Sequence, residues 1–171
     1  MADRPYNVLF LCSDNSACSL MAEAILNRDG AGRFRAFSAG RQPVHGMAPM
    51  VENLLKKLNY PLEPLRSKSW DLFAHPDAPP MDFIFTLSDL GAAGEMPSWP
   101  GTPMTAHWGV PDPLNDRRGE AEQAVLVAEV FRMLSNRIDI FLNLPMRSLD
   151  QLSLQRRLTA IGSVSREPAV V

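Results

Sequence analysis

Cysteine is nearly absent from this chain: Cys12 and Cys18 are the two in 171 residues. A pair of thiols builds no disulfide framework of the kind that staples small secreted domains. Long hydrophobic runs are missing as well; each apolar stretch is a handful of residues, too short to cross a bilayer. No block of like charge occurs, and a net charge of −2 offers neither nucleic acid nor an anionic membrane surface a counterpart. The start, "MADRPYN", is polar and runs straight into strand-like sequence, so no secretory leader is expected. His45, His75 and His107 stand far apart without ligand spacing, so no metal site is expected. What these absences leave is a single globular domain with reduced thiols, read as cytoplasmic.

The apolar share is 46%, enough for one packed core. "NVLFL" (7–11), "RFRAFSAG" (33–40), "MDFIFTL" (81–87) and a segment ending near His107 read as strands; the first and third are apolar throughout, as strands covered on both faces are. Between and after them run helical patterns. "SLMAEAILNRDG" carries a stripe of Leu20, Met21, Ala24 and Ile25 with Gly30 as its stop, and a second helix over 47–58 is expected to end at Pro61. "SKSWDLFA" reads as a turn or two of helix capped by Ser67 or Ser69. The longest helix spans "RRGEAEQAVLVAEVFRMLSNRIDIFLNL", with Val125, Val127, Ala128, Phe131, Leu134, Ile138, Phe141 and Leu142 on its apolar side. Residues 145–162 form a C-terminal helical extension and 163–171 a frayed tail. Strands alternating with helices predict a parallel α/β sheet, in which sites gather at the carboxyl ends of strands. Cys12 and the "WGVPDP" loop therefore belong to one sheet edge.

That edge can do chemistry. A cysteine between a strand and a helix N-terminus faces backbone N–H groups and the positive end of the helix dipole, which favour its thiolate. The small polar loop "SDNSA" can turn its amides inward as an anion nest. Ser19 can cap the helix or donate to the thiolate, and Asn15 can brace the loop. A buried structural cysteine beside a serine-rich cap would give the same local pattern. Asp112 sits in "PDP", between prolines that stiffen the loop; a carboxyl there can protonate a leaving oxygen and later activate water. An ordinary turn aspartate reads the same way when taken alone.

Taken together, "VLFLCSDNSACSLMAEAIL", "FSAG", "LRSKSW", "MDFIFTLSD", "HWGVPDP" and "LPMRSLDQLSLQRRL" resemble the low-molecular-weight protein tyrosine phosphatases and the arsenate reductases that share their fold. "LRSKSW" and "HWGVPDP" are closer to the arsenate reductase branch. The resemblance covers nearly the whole chain. It implies a three-layer α/β sandwich in which helices flank a four-stranded parallel sheet. It also implies that Cys12 is the nucleophile, Asp112 the general acid, and Ser13, Asp14, Asn15, Ser16, Ala17, Cys18 and Ser19 the oxyanion-binding loop. The implied ligand is a small oxyanion, arsenate or a phosphate monoester. No cofactor is implied beyond an external thiol reductant, or a thiol redox protein, if arsenate is reduced.

The family signature is Cys, five residues, Arg, then Ser or Thr. Here Cys18 stands in the arginine's place, and Ser88 and Met96 stand where arsenate reductases usually carry their second and third cysteines. A catalytic arginine clamps an oxyanion with two charge-assisted hydrogen bonds, and a thiol is at best a weak donor. Arg41 and Arg66 are the candidate substitutes, with a surface or structural role the plainer expectation for each. Three readings follow: a weakened enzyme, a non-catalytic oxyanion- or protein-binding scaffold, and a Cys12–Cys18 thiol redox switch. A monomer is expected ahead of a dimer, since the extension can cover the long helix.

Overall fold

The computed structural model describes residues 4–43, 46–88, 96–114 and 119–163. Its elements in chain order are β1 (Tyr6–Cys12), α1 (Cys18–Asp29), β2 (Phe34–Gly40), α2 (Pro49–Lys57), α3 (Asp71–Ala74), β3 (Phe83–Thr86), β4 (Met104–His107), α4 (Glu120–Leu142) and α5 (Gln151–Gly162). The four strands form one parallel sheet in the order β2-β1-β3-β4. β1 is central because its run is apolar on both faces. Val8, Phe10 and Cys12 turn to one side, and Leu9 and Leu11 to the other.

The two sides are unequal. Against Val8, Phe10, Phe83 and Phe85 lie α1, α2, α4 and α5, which supply most of the buried apolar residues. The opposite face carries a thinner layer: Leu9, Leu11, Ala39 and Ile84 are covered by Trp70, Phe73 and Met81, with Trp99 packed on Trp70. The core's aromatic centre is Trp108, stacked on Phe85 with ring centroids 3.7 Å apart, while its indole N–H donates to the Leu158 carbonyl at 3.0 Å.

Both outer strands have partners along their outward edges. On β2, the Phe34 amide donates to Gly30 and the Ala36 amide and carbonyl are both bonded by the Asn27 side chain. The Gly40 amide donates to Lys68, and the Gly40 carbonyl accepts from Trp70. On β4, the Thr105 carbonyl accepts from Gln155 of α5 at 2.8 Å. α5 closes so tightly on β4 that a Cβ at Gly162 would stand 2.1 Å from the His107 carbonyl oxygen.

Several expectations are corrected. α2 stops at Lys57, ahead of Pro61, because Asn59 adopts a left-handed φ of 66° that ends the helix first. α4 begins at Glu120, and Val125 is 61% exposed with Ala128 also outside the core. The buried stripe is Val127, Val130, Leu134, Arg137, Ile138 and Phe141, with a charged residue inside it. α1 is buried from Cys18 to Leu26 on all sides, Glu23 included, where a one-sided stripe is expected. The Ser69 hydroxyl accepts from the Asp71 amide as a cap would, whereas Ser67 is committed elsewhere. α5 starts at Gln151 behind Asp150, whose carboxylate accepts from the Ser153 amide. His45, residues 164–171 of the tail and the arginines expected at the start of the long helix lie outside the described residues. Among the described residues no helix is long and apolar enough to cross a membrane.

Candidate active site

Cys12 ends β1, and residues 13–17 carry the chain round to α1. The turn is tight. Asn15 takes a left-handed φ of 54°, a conformation costing about 1–2 kcal/mol for ordinary residues and tolerated best by Gly, Asn and Asp. Its fixed side chain offsets that cost. Asn15 Nδ2 donates to Ser19 Oγ at 2.7 Å and Ser38 Oγ at 3.1 Å, and Asn15 Oδ1 accepts the Lys68 amide at 2.7 Å. Ser67 Oγ donates to the Asn15 carbonyl at 2.5 Å. At roughly 1 kcal/mol per bond, these outweigh the backbone cost. Gly40 of β2 is required beside this turn: a Cβ there would stand 2.9 Å from both the Asn15 Cβ and backbone nitrogen.

The thiol sits inside this frame, 2% exposed. Ser19 Oγ lies 2.8 Å from Cys12 Sγ, and the Asn15 amide donates to the sulfur at 3.2 Å. Because Ser19 already accepts from Asn15, its own proton is free to point at the sulfur. Ala17 at the N-cap offers no side-chain acceptor, so the first-turn amides of α1 meet the loop without a side-chain cap. The Cys12 thiol is lowered to about 7; a hydrogen bond from Cys18 is the largest cause, the Ser19 and Asn15 donors add to it, and burial opposes. Cys18, buried beside it, moves the other way. Sharing its proton with Cys12, losing water, and facing the charges of Cys12, Asp14 and Asp112 push it well above the ordinary thiol range. Cys12 is thus the thiolate of the pair and Cys18 the thiol; both are free cysteines.

The remaining loop residues are placed as follows. Ser13 is exposed, its amide donating to Ser88 Oγ at 3.1 Å and the two hydroxyls lying 3.3 Å apart. Asp14 accepts the Ser16 amide at 3.3 Å, so one loop N–H is already occupied by a carboxylate of the loop itself. Ser16 is buried, and its carbonyl accepts from Ala48 ahead of α2. Asp112 is exposed, with Oδ1 accepting the Leu114 amide at 2.9 Å, and its charge reaches Cys18. Arg41 abuts the loop through its amide, which donates to the Cys12 carbonyl at 3.2 Å, while Arg66 is exposed. His107 Nδ1 is 2.7 Å from Thr86 Oγ1 at the strand ends.

Sequence reasoning missed the network behind the loop. Ser38 donates to Glu23 Oε1 at 2.6 Å, and Lys68 Nζ lies 3.8 Å from the same carboxylate while donating to the Arg66 carbonyl. Burial pushes the Glu23 carboxyl up and the Lys68 ammonium down. A continuous line of polar contacts therefore runs from Cys12 through Ser19, Asn15 and Ser38 to Glu23 and Lys68. The available signal was a serine in the apolar half of its strand, within "FSAG".

The chain is 26% identical over 134 residues to an arsenate reductase of Bacillus subtilis (strain 168), covering 78% of this chain and 93% of that protein. Among solved structures, an arsenate reductase in the phosphate binding state superposes with a TM-score of 0.60 at 22% identity, over 78% of this chain and 97% of the other. A thioredoxin-dependent arsenate reductase of Corynebacterium glutamicum gives a TM-score of 0.57 at 21% identity, over 81% of this chain and 63% of that one. Residues 7–153, from β1 into the start of α5, match the family model for low molecular weight phosphotyrosine protein phosphatases. With a four-stranded parallel sheet whose first strand delivers a cysteine to a helix N-terminus, the chain belongs to the low-molecular-weight phosphotyrosine phosphatase family, the superfamily that also holds these arsenate reductases.

Proposed function

We propose that this protein acts on a small tetrahedral oxyanion, a phosphate monoester or arsenate, through the Cys12 thiolate. The observation that carries the reading is the set of donors converging on Cys12 Sγ: the Ser19 hydroxyl at 2.8 Å and the Asn15 amide at 3.2 Å, at an uncapped helix N-terminus. With a phosphate ester, the thiolate attacks phosphorus and the ester oxygen leaves with the Asp112 proton. Asp112 then takes a proton from the water that hydrolyses the phosphocysteine. With arsenate, Cys12 displaces water to form a thiol–arsenate adduct. An external thiol attacks the Cys12 sulfur, arsenic leaves as arsenite with two more electrons, and a mixed disulfide remains. No cofactor is needed, and reduced thiols suit a reducing compartment such as the cytoplasm.

The chemistry runs weakly. A lost oxyanion-hole donor costs ~10²–10³ in rate and a lost phosphoryl-clamping arginine ~10³–10⁵. Cys18 supplies neither charge nor fork, and Asp14 adds a carboxylate where a dianion would sit. A second reading is favoured by two free, buried cysteines at the two ends of the loop 12–18: a Cys12–Cys18 pair that peroxide converts to a disulfide, releasing two waters and withdrawing the nucleophile.

Steady-state turnover of an aryl phosphate, and of arsenate with an external thiol, tests the main reading on three forms. The expected order is Cys18→Arg above the native chain by about a hundredfold, with Cys12→Ser inactive. Full activity in Cys12→Ser would remove the nucleophile assignment. Turnover by neither active form, with inorganic phosphate still bound, would leave an oxyanion-binding scaffold.

A further inference from the structure

Arg137 occupies a core position of α4, between Leu134 and Ile138 on the buried stripe, and is 3% exposed. A guanidinium cannot lie there without acceptors. Its Nη1 donates to the Trp108 carbonyl at 2.9 Å and to the Gly109 carbonyl at 2.8 Å. These are the first two carbonyls beyond β4. On the other side of the same backbone, the Trp108 amide donates to the Thr86 carbonyl at 2.7 Å and the Val110 amide to the Leu87 carbonyl at 3.0 Å. Residues 108–110 are therefore held twice, by Thr86 and Leu87 at the end of β3 through the Trp108 and Val110 N–H groups and by Arg137 through the Trp108 and Gly109 carbonyls.

The gripped segment leads directly into Pro111, Asp112 and Pro113. Proline fixes φ, so a rotation at residue 110 would pass along the segment with little slack before Asp112. The Asp112 carboxylate accepts the Leu114 amide, which stiffens the far side. A Cβ at Gly109 would stand 2.7 Å from His107 Nε2, so a side chain there would displace that ring from its contact with Thr86. The loop is thus held at its base and at its own carboxylate, while Asp112 itself is exposed.

We infer that Arg137 is a positioning residue for the acid: from within α4 it holds the Trp108 and Gly109 carbonyls and so sets where Asp112 stands relative to the Cys12 loop. The inference rests on Asp112 being the general acid, as proposed above. A buried Arg was chosen over an apolar residue because two carbonyls leaving a strand end need donors, and the guanidinium serves both from one side chain. Both bonds come from the one Nη1, so a lysine, with three donors on one nitrogen but a different reach, is a graded probe of the same contact.

The test compares the native chain, Arg137→Lys, Arg137→Met and Asp112→Asn on phenyl phosphate, a poor leaving group, and p-nitrophenyl phosphate, a good one. General acid catalysis matters for the first far more than for the second. The expected result in Arg137→Met is a kcat/KM loss of at least about tenfold on phenyl phosphate and under about threefold on p-nitrophenyl phosphate, because kcat/KM reports departure of the ester oxygen and not the later hydrolysis that both esters share. Inhibition by inorganic phosphate stays where it was, Arg137→Lys falls between, and adding Asp112→Asn costs nothing further in that ratio. Equal losses on both esters, or losses that add to those of Asp112→Asn, would overturn the inference. Amide exchange supplies an arm independent of turnover, and Arg137→Lys serves if Arg137→Met does not fold. Val110 is expected to lose protection while Val127 and Leu134 of α4 keep theirs; unchanged protection at Val110 overturns the anchor. A native chain that hydrolyses neither ester defeats the phosphatase reading by that result, and the Val110 amide still decides on Arg137.

Discussion

Cys12 and Cys18 divide one proton between two sulfurs, and the division decides which of them can react. Cys12 is held to about 7 with Cys18 as the leading donor, and Cys18 is held far above. The lowered group is charged above pH 7 and neutral below it, so its alkylation by iodoacetamide should rise through about pH 7 and level off above. Peptide mapping by mass spectrometry should find the label on Cys12 alone. Replacing Cys18 by Ala removes the largest stabiliser of the thiolate, so the same profile should move to higher pH. A profile that stays in place would show that Ser19 and the Asn15 amide suffice.

At the scale of elements, the loop's shape depends on a strand it is not part of. Gly40 stands in β2, yet its missing Cβ is the space into which Asn15 turns. Gly40→Ala should therefore cost about 1–3 kcal/mol by overpacking against backbone that cannot give way. It should also weaken inhibition by inorganic phosphate, measured beside thermal unfolding; a stable variant with unchanged phosphate affinity would contradict the coupling. This dependence shows what the sequence could disclose. β1, α1, β2 and β3 were readable because apolar runs and helical stripes are local signals, and the approach of Ser19 to Cys12 because one short turn joins them. The Glu23–Ser38–Lys68 line was not readable. Each member is an unremarkable polar residue in its own element, and only the β1–β2 register and the packing of α1 bring them together. Arg137 was missed for a related reason: an arginine on a helix reads as surface unless its acceptors are known. Val125 shows the converse, an apolar residue at helical spacing left in solvent because α4 turns a different stripe inward.

At the scale of the whole molecule, α5 works as a wall against the last strand. Leu154, Leu158 and Ile161 join the main core, and the Leu158 carbonyl receives the Trp108 indole N–H. Leu158→Ala should cost about 2–5 kcal/mol, seen as a lower midpoint in denaturant unfolding, and should change Trp108 fluorescence in the native state because the side chain packs beside the indole's partner. An unfolding midpoint equal to that of the native chain would make α5 an ornament of the fold.

The same wall has a consequence for how copies of this chain meet one another. A parallel sheet with bare margins is a template on which a second polypeptide can align and continue the ladder, the first step toward fibrils and strand exchange. Here one margin is occupied by Asn27, Gly30, Lys68 and Trp70, and the other receives Gln155. An approaching copy therefore finds one margin bonded along most of its length and, on the other, the Thr105 carbonyl already taken.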